Sequence, residues 1–225
     1  MIMETEKFIY EKSMPTDRGL AKYIEMFDLD IEDCKDKLVL DIGAGTARFQ
    51  EEAKEEGIRV ISLDPVYKFD FSQEQVRKDF YTRAKKLGFG DFIDEDVLKE
   101  KVGDVVARLD IGQNPDKQRD KVAGINEALP FKNETFDFVL NAYSSFLYLE
   151  KNYSDPSEAV SRGVLMLEQI HNVLKPDGEA RISIPDLPIP SNLIRRVSDA
   201  YIDKYPDARI RVLFGKKYNY LRLKK

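Results

Sequence analysis

Two glycines and two carboxylates early in this chain have the spacing of a ligand-binding turn. The run Asp41-Ile42-Gly43-Ala44-Gly45-Thr46-Ala47 follows a short apolar segment and leads into helix-forming residues. Glycines at 43 and 45 permit a turn that side chains would obstruct, so backbone N–H groups can come close to a ligand. Asp64 ends the next apolar segment, 19 residues after Gly45. A carboxylate there can accept both hydroxyls of a ribose. Strand, glycine turn, helix, strand and acid together predict a nucleoside-containing ligand. Ala47 stands where a dinucleotide fingerprint has its third glycine, and it is compatible with either a dinucleotide or a simpler nucleoside. Asp41 discriminates better. A carboxylate beside a pyrophosphate is repelled, whereas one beside an ammonium is attracted. The turn therefore suits a nucleoside carrying a cationic amino-acid group better than NAD.

Regular elements must hold these groups. Leu20, Tyr23, Ile24 and Phe27 follow Thr16 with the spacing of an amphipathic helix. Residues 37–41 and 58–63 read as strands, and 46–56 as the helix between them, with Phe49 and Ala53 turned inward. Ser72 to Leu87 has a capping box at Ser72 and Gln75 and an apolar stripe. The stretch from Phe89 to Gln118 has no clear period. Residues 136–141 (FDFVLN) read as a strand. Asp155, Pro156 and Glu158 mark a helix start, and Val160, Val164, Leu167, His171 and Leu174 share one face. Lys175-Pro176-Asp177-Gly178 ends that helix, and residues 179–184 form a strand. Another helix is expected over 191–204, then two alternating strands at 209–214 and 218–223, a closing antiparallel hairpin. Strands alternating with helices predict an α/β fold: a mostly parallel sheet covered on both faces.

Composition excludes several chemistries. The chain has 225 residues, 42% hydrophobic and 34% charged, with a formal net charge of -5. Residues 1–225 are read as a single domain. One cysteine, Cys34, and one histidine, His171, leave no intrachain disulfide, no cysteine cluster for a metal and no multi-imidazole site. No metal is expected. There is no secretory signal in the first residues and no run near the ~20 apolar residues of a membrane span, so the expected location is the cytoplasm. The charge is uneven: residues 209–225 carry seven basic groups and no acid, leaving the first 208 at -12. A concentrated basic end can touch phosphate, but on a closing hairpin lysines also guard a sheet edge.

Taken in order, the motifs resemble those of class I S-adenosylmethionine-dependent methyltransferases. VLDIGAGTARF is similar to their first motif, with Gly43 and Gly45 in the turn. SLDPVY is similar to the second, with Asp64 at the ribose and Pro65-Val66 beside the adenine. INEALPFKNETFDFVLNAYSSFLYL is similar to the stretch from the third strand through the fourth. EQIHNVLKPDGEARISIP is similar to the helix, turn and fifth strand, with Asp177 where glycine is commoner. The resemblance implies a Rossmann-like seven-stranded, mostly parallel sheet with a C-terminal antiparallel hairpin, and S-adenosylmethionine as cofactor. It implies cofactor contacts from Asp41, Gly43, Gly45, Asp64, Pro65, Val66, Asn126, Glu127 and Asn141. Asn126 stands where the family usually has an aspartate on the adenine amine, and an amide can still donate and accept there.

Asp64 and Leu129 are 65 residues apart, more than the family's usual spacing. The extra residues, approximately 66–120, are read as a helical insertion. Loops past the carboxyl ends of parallel strands lie over the ligand crevice, so this segment is expected to be a lid or an acceptor-binding region. Phe69, Phe71, Phe80, Tyr81, Phe89 and Phe92 give it a hydrophobic face, for which a homodimer contact is the alternative use. Asn141, Tyr143 and Asp186 are the candidates for aligning an acceptor. Asn141-Ala142-Tyr143-Ser144 lacks the two prolines common in methyltransferases of nucleobase amino groups. The expected function is methyl transfer to a small-molecule acceptor. The alternatives are a nucleic-acid or protein methyltransferase, a non-catalytic S-adenosylmethionine-binding protein and an NAD-dependent oxidoreductase. His171, mid-helix on an apolar stripe, is read as a packed, hydrogen-bonded residue, and Cys34 as an inert small hydrophobe.

Overall fold

In the computed structural model, the described residues are 17–68, 120–142, 155–184, 192–215 and 218–225, with Thr82, Leu109, Phe146, Leu149 and Tyr153. The expected helix from Ser72 to Leu87, the aromatic face of the insertion, and Tyr143, Ser144 and Asp186 lie outside them. The elements in chain order are α1 (Leu20–Phe27), α2 (Ile31–Cys34), β1 (Leu38–Ile42), α3 (Arg48–Glu55) and β2 (Arg59–Leu63). A 3-10 turn over Pro65–Lys68 follows. Then come β3 (Lys121–Val122), β4 (Phe136–Asn141), α4 (Pro156–Val173), β5 (Leu174–Ser183), α5 (Asn192–Lys204), β6 (Arg209–Phe214) and β7 (Asn219–Lys224).

The seven strands form one sheet in the order β3-β2-β1-β4-β5-β7-β6. β1, β2, β3, β4 and β5 pair in parallel, and β7 runs antiparallel to both β5 and β6. This is the expected α/β sheet with its closing hairpin. One face packs Leu40, Ile42, Val139 and Ile182 against Leu167, Ile170, Ile194 and Val197 of α4 and α5. The other packs Val39, Val60, Phe138 and Leu140 against Tyr23, Phe27, Phe49 and Ala53 of α1 and α3. Strands buried on both sides read as continuous apolar runs, which is why LVLDI and FDFVLN were legible.

Three details differ from the expectation. The third strand lies at Lys121–Val122, ahead of the INEAL run, and Ile125 to Ala128 instead form a tight turn. Gly124 and Asn126 favour turning there, and a two-residue edge strand leaves no periodic trace. The face of α4 is rotated: its buried residues are Ala159, Gly163, Met166, Leu167, Ile170 and Val173, while Val160 and Val164 are partly buried. Small residues at 159 and 163 let α5 approach closely, so they count as core despite contributing little apolar area. The strand after α4 begins at Leu174 and contains the expected turn, where register shifts from Phe136↔Leu174 to Phe138↔Glu179. Asp177 has φ 65 in that turn, the left-handed conformation that glycine adopts at less cost.

Gly163 shows how tight the α4–α5 contact is. A Cβ there would lie 2.6 Å from Val197 Cγ2 and 3.2 Å from Leu149 Cδ1. Overpacking costs about 1–3 kcal/mol, and the helix-propensity gain from alanine returns ~1 kcal/mol. Gly163→Ala should therefore lower stability by up to about 2 kcal/mol in urea unfolding; a more stable variant would show that α5 yields freely.

Candidate functional site

In open α/β sheets the ligand crevice forms outside the carboxyl ends of the strands, where strand order reverses. Here that point lies between β1 and β4, adjacent in the sheet though the chain between them builds β2 and β3. Ile42 pairs with Asn141 at the carboxyl ends of the two strands.

The glycine turn is built at this place. Gly43 (φ 73), Gly45 (φ 59) and Ala47 (φ 62) all adopt positive φ. The N–H groups of Gly43 and Ala44 donate to Leu63 O at 2.8 and 3.3 Å, tying the turn to β2. Ala47, at the N-cap of α3, takes the left-handed geometry usually given to glycine, and its methyl is fully buried. Asp64 joins the turn to the end of β2: Oδ2 accepts from Gly45 N at 3.0 Å and Oδ1 from Val66 N at 2.9 Å. An ionised carboxylate has roughly four acceptor positions, so two remain for ligand hydroxyls. Burial pushes the Asp64 carboxyl up to about 6, outweighing the backbone hydrogen bonds from Val66 and Gly45.

Asp41 lies one residue from the end of β1, on the sheet face covered by α1 and α3, and is fully buried. Its Oδ1 accepts from Tyr23 Oη at 2.8 Å. Its Oδ2 has no hydrogen-bond partner among the described residues. Burial raises this carboxyl to about 7, against the Tyr23 hydrogen bond and the nearby Arg18 charge, and with the Asp64 charge adding to the rise.

Arg18 completes the arrangement. Its Nη2 donates to Ala142 O at 2.8 Å, just past β4, and approaches Gly43 O at 3.5 Å. The guanidinium thus spans the switch point. The preceding segment is clamped to α3: Thr46 Oγ1 donates to Asp17 Oδ1 at 2.6 Å, and Arg48 reaches Asp17 at 3.3 Å. Glu52 accepts from Leu20 N at 2.6 Å, serving the first N–H of α1 where the N-cap, Gly19, has no side chain.

Of the residues named from sequence, the structure brings Asp41, Gly43, Gly45, Asp64, Pro65 and Val66 together, with Asn141 across β1–β4. Asn141 is fully buried, on the sheet face opposite Asp41. Asn126 and Glu127 are the central residues of the Ile125–Ala128 turn beyond β3, and the Glu127 charge bears on the Tyr153 phenol. Tyr143 and Asp186 lie outside the described residues. His171 is a packing residue: its Nδ1 is 2.6 Å from Tyr201 Oη and its ring stacks on Tyr205 at 5.2 Å. Cys34 is buried in α2, where burial raises its thiol. Sequence reasoning missed Arg18, which precedes every motif, and saw Tyr23 only as one member of an apolar stripe.

No protein-family profile and no curated protein matches this chain. Many solved structures do. A SAM-dependent methyltransferase from Aquifex aeolicus is 18% identical, with 98% of this chain and 96% of that one covered and a TM-score of 0.42. A protein from Pyrococcus horikoshii OT3 is 15% identical over 96% and 97%, with a TM-score of 0.49. A 1,6-didemethyltoxoflavin-N1-methyltransferase from Burkholderia thailandensis, solved with S-adenosylhomocysteine bound, is 18% identical over 85% and 72%, with a TM-score of 0.43. The fold is a Rossmann-like α/β fold. Strand order, register and the antiparallel β7 establish this.

Among the described residues no three His, Cys, Asp or Glu side chains group as metal ligands. No helix among them is long and apolar enough to cross a membrane. Part of the basic hairpin meets acids. Arg222 and Lys224 pair with Glu179, and Lys225 with Glu134. Glu179 opens the stretch of β5 paired with β7, so these charges gather at the amino ends of the parallel strands, opposite the crevice.

Proposed function

We propose that this protein is a cytoplasmic S-adenosylmethionine-dependent methyltransferase acting on a small-molecule acceptor. The observation that carries the reading is the buried Asp41 carboxylate with one unpartnered oxygen, beside a ribose-type acid on the glycine turn. A buried anion of this kind repels a pyrophosphate and attracts an ammonium, which sets S-adenosylmethionine apart from NAD. Asp64 would take the ribose hydroxyls, Asp41 the amino group, and Arg18, spanning β1 and β4, the carboxylate. Pro65, Val66 and Asn126 would flank the adenine, with Glu127 in the same turn.

S-adenosylmethionine supplies a methyl group already activated on a sulfonium. The protein's task is then to align an acceptor and keep out water, and holding reacting atoms about 3–3.5 Å apart accounts for much of the rate. Asn141, at the end of β4, and Tyr143 and Asp186 would orient the acceptor. A general base is required only where the acceptor loses a proton as it attacks. The inserted segment, 66–120, would close over the acceptor. The small-molecule reading is supported by Arg222, Lys224 and Lys225, which pair with acids at the amino ends of the parallel strands, away from the crevice.

Calorimetric titration with S-adenosylhomocysteine tests the proposal. Binding is expected, and it should strengthen as pH rises. The Asp41 carboxyl, raised to about 7, must be ionised to pair with the ligand ammonium. Affinity should therefore fall as pH drops from 8 through about 7 to 6, and Asp41→Asn should flatten the profile. No binding at millimolar ligand would end the methyltransferase reading, and NADH binding in its place would favour the oxidoreductase.

A further inference from the structure

Tyr23 has a hydroxyl that the core does not need. Its ring is 1% exposed and stacks on Phe49 at 4.1 Å and 3°, and it tilts against Phe27 at 5.7 Å. Phenylalanine would make all these contacts. The hydroxyl donates to Asp41 Oδ1 at 2.8 Å, and Arg18 hydrogen-bonds the same phenol. Removing a phenol from water without a partner is costly, and so is burying a carboxylate. The pair satisfies the phenol and half of the carboxylate. The other half, Oδ2, has no partner among the described residues. A carboxylate bonded at one oxygen has its rotation about the Cβ–Cγ bond stopped, so the direction of the second oxygen is set.

We infer that Tyr23 is a positioning residue: it holds Asp41 so that Oδ2 meets the ammonium of the donor's amino-acid end. This rests on the methyl-donor reading above and adds a residue that touches no ligand atom itself. Helix α1 thereby becomes part of the site. Its carboxyl end is fastened to the sheet by Arg181, whose Nη1 donates to Phe27 O at 2.7 Å and Asp28 O at 2.9 Å. Its amino end is fastened by Glu52. A rigid α1 places the Tyr23 hydroxyl reproducibly, which a loop residue could not do.

The test separates the amino-acid end from the rest of the ligand. S-adenosylhomocysteine and 5′-methylthioadenosine share the adenosine and the thioether, and only the first has the amino-acid group. In calorimetric titrations Tyr23→Phe should weaken S-adenosylhomocysteine about tenfold while methylthioadenosine changes by less than about twofold. Adding Tyr23→Phe to Asp41→Asn should cost nothing more, because the two act through one contact. Unchanged S-adenosylhomocysteine affinity would overturn the inference. Equal weakening of both ligands would do so too, since it marks a merely structural role. If the unsubstituted protein binds neither ligand, the methyl-donor reading itself fails; if it binds methylthioadenosine as tightly as S-adenosylhomocysteine, only the amino-acid subsite fails.

Discussion

Asp64→Ala should weaken S-adenosylhomocysteine binding by about 1.5–3 kcal/mol, roughly ten- to 150-fold. The carboxylate does two jobs. Its oxygens accept from Gly45 N and Val66 N, so it holds the glycine turn against the end of β2. Its remaining acceptor positions are those proposed for the ribose hydroxyls. Alanine removes both. Asparagine is no conservative substitute. Both carboxylate oxygens face backbone N–H donors, and an amide NH2 would set one donor against another. Asp64→Asn should accordingly bind nearly as poorly as Asp64→Ala. Titration calorimetry on both variants, with urea midpoints to show they are folded, checks this. Full affinity in Asp64→Ala would mean that the ribose sits elsewhere.

The second large effect concerns stability. Glu179→Ala is expected to cost about 3–5 kcal/mol of unfolding free energy, the range for stripping one partner from a buried ion pair. Glu179 is 5% exposed and Arg181 8%. The glutamate accepts from Arg181 Nε at 2.6 Å and from Arg222 Nη2 at 2.5 Å, with Lys224 Nζ at 3.4 Å. Without it three cations face one another, and the buried Arg181 loses its carboxylate while keeping the carbonyls of Phe27 and Asp28 and the faces of Phe138 and Tyr220. Burial pushes the Glu179 carboxyl up, but hydrogen bonds from Arg222 and Arg181, with their charges, outweigh it and hold the group below its ordinary 4.5. A depressed carboxylate stabilises the fold above its unfolded pKa and loses that contribution as pH falls through the folded value. The difference between native and variant proteins should thus be full at pH 7 and shrink below about pH 4.5. Urea unfolding at pH 7 and pH 4 measures it. A loss under ~1 kcal/mol at pH 7 would place Glu179 among exchangeable surface pairs.

Legibility in this chain followed the range of the interaction. Short-range patterns predicted elements well. Asp155 caps α4 by accepting from Ser157 N at 2.8 Å, as the Asp-Pro-x-Glu order indicates. The FDFVLN strand occupies its expected residues. The glycine turn and Asp64 were legible because the acid and the turn end consecutive strands, and their spacing survives in the sequence. The face of α4 was not legible, since it depends on how near α5 comes, and small residues carry no apolar signal. β3 was not legible because two residues have no period.

By itself the sequence determined the order of the longer strands and helices, the turn at Gly43 and Gly45, and the acid at the end of β2. All of these arise from neighbours in the chain, through φ preference, apolar period and capping. Only the tertiary structure decided that β4 lies against β1, that Arg18 bridges their ends, and that Tyr23 rests its hydroxyl on Asp41. Those contacts join residues as far as 124 positions apart. They exist because a parallel sheet must be crossed and covered before its carboxyl ends can meet, and no local pattern records which distant side chain arrives there. Tertiary contact likewise decided the use of the basic end, where Arg222, Lys224 and Lys225 meet Glu179 and Glu134. These three charges meet carboxylates at the amino ends of the parallel strands, away from the crevice.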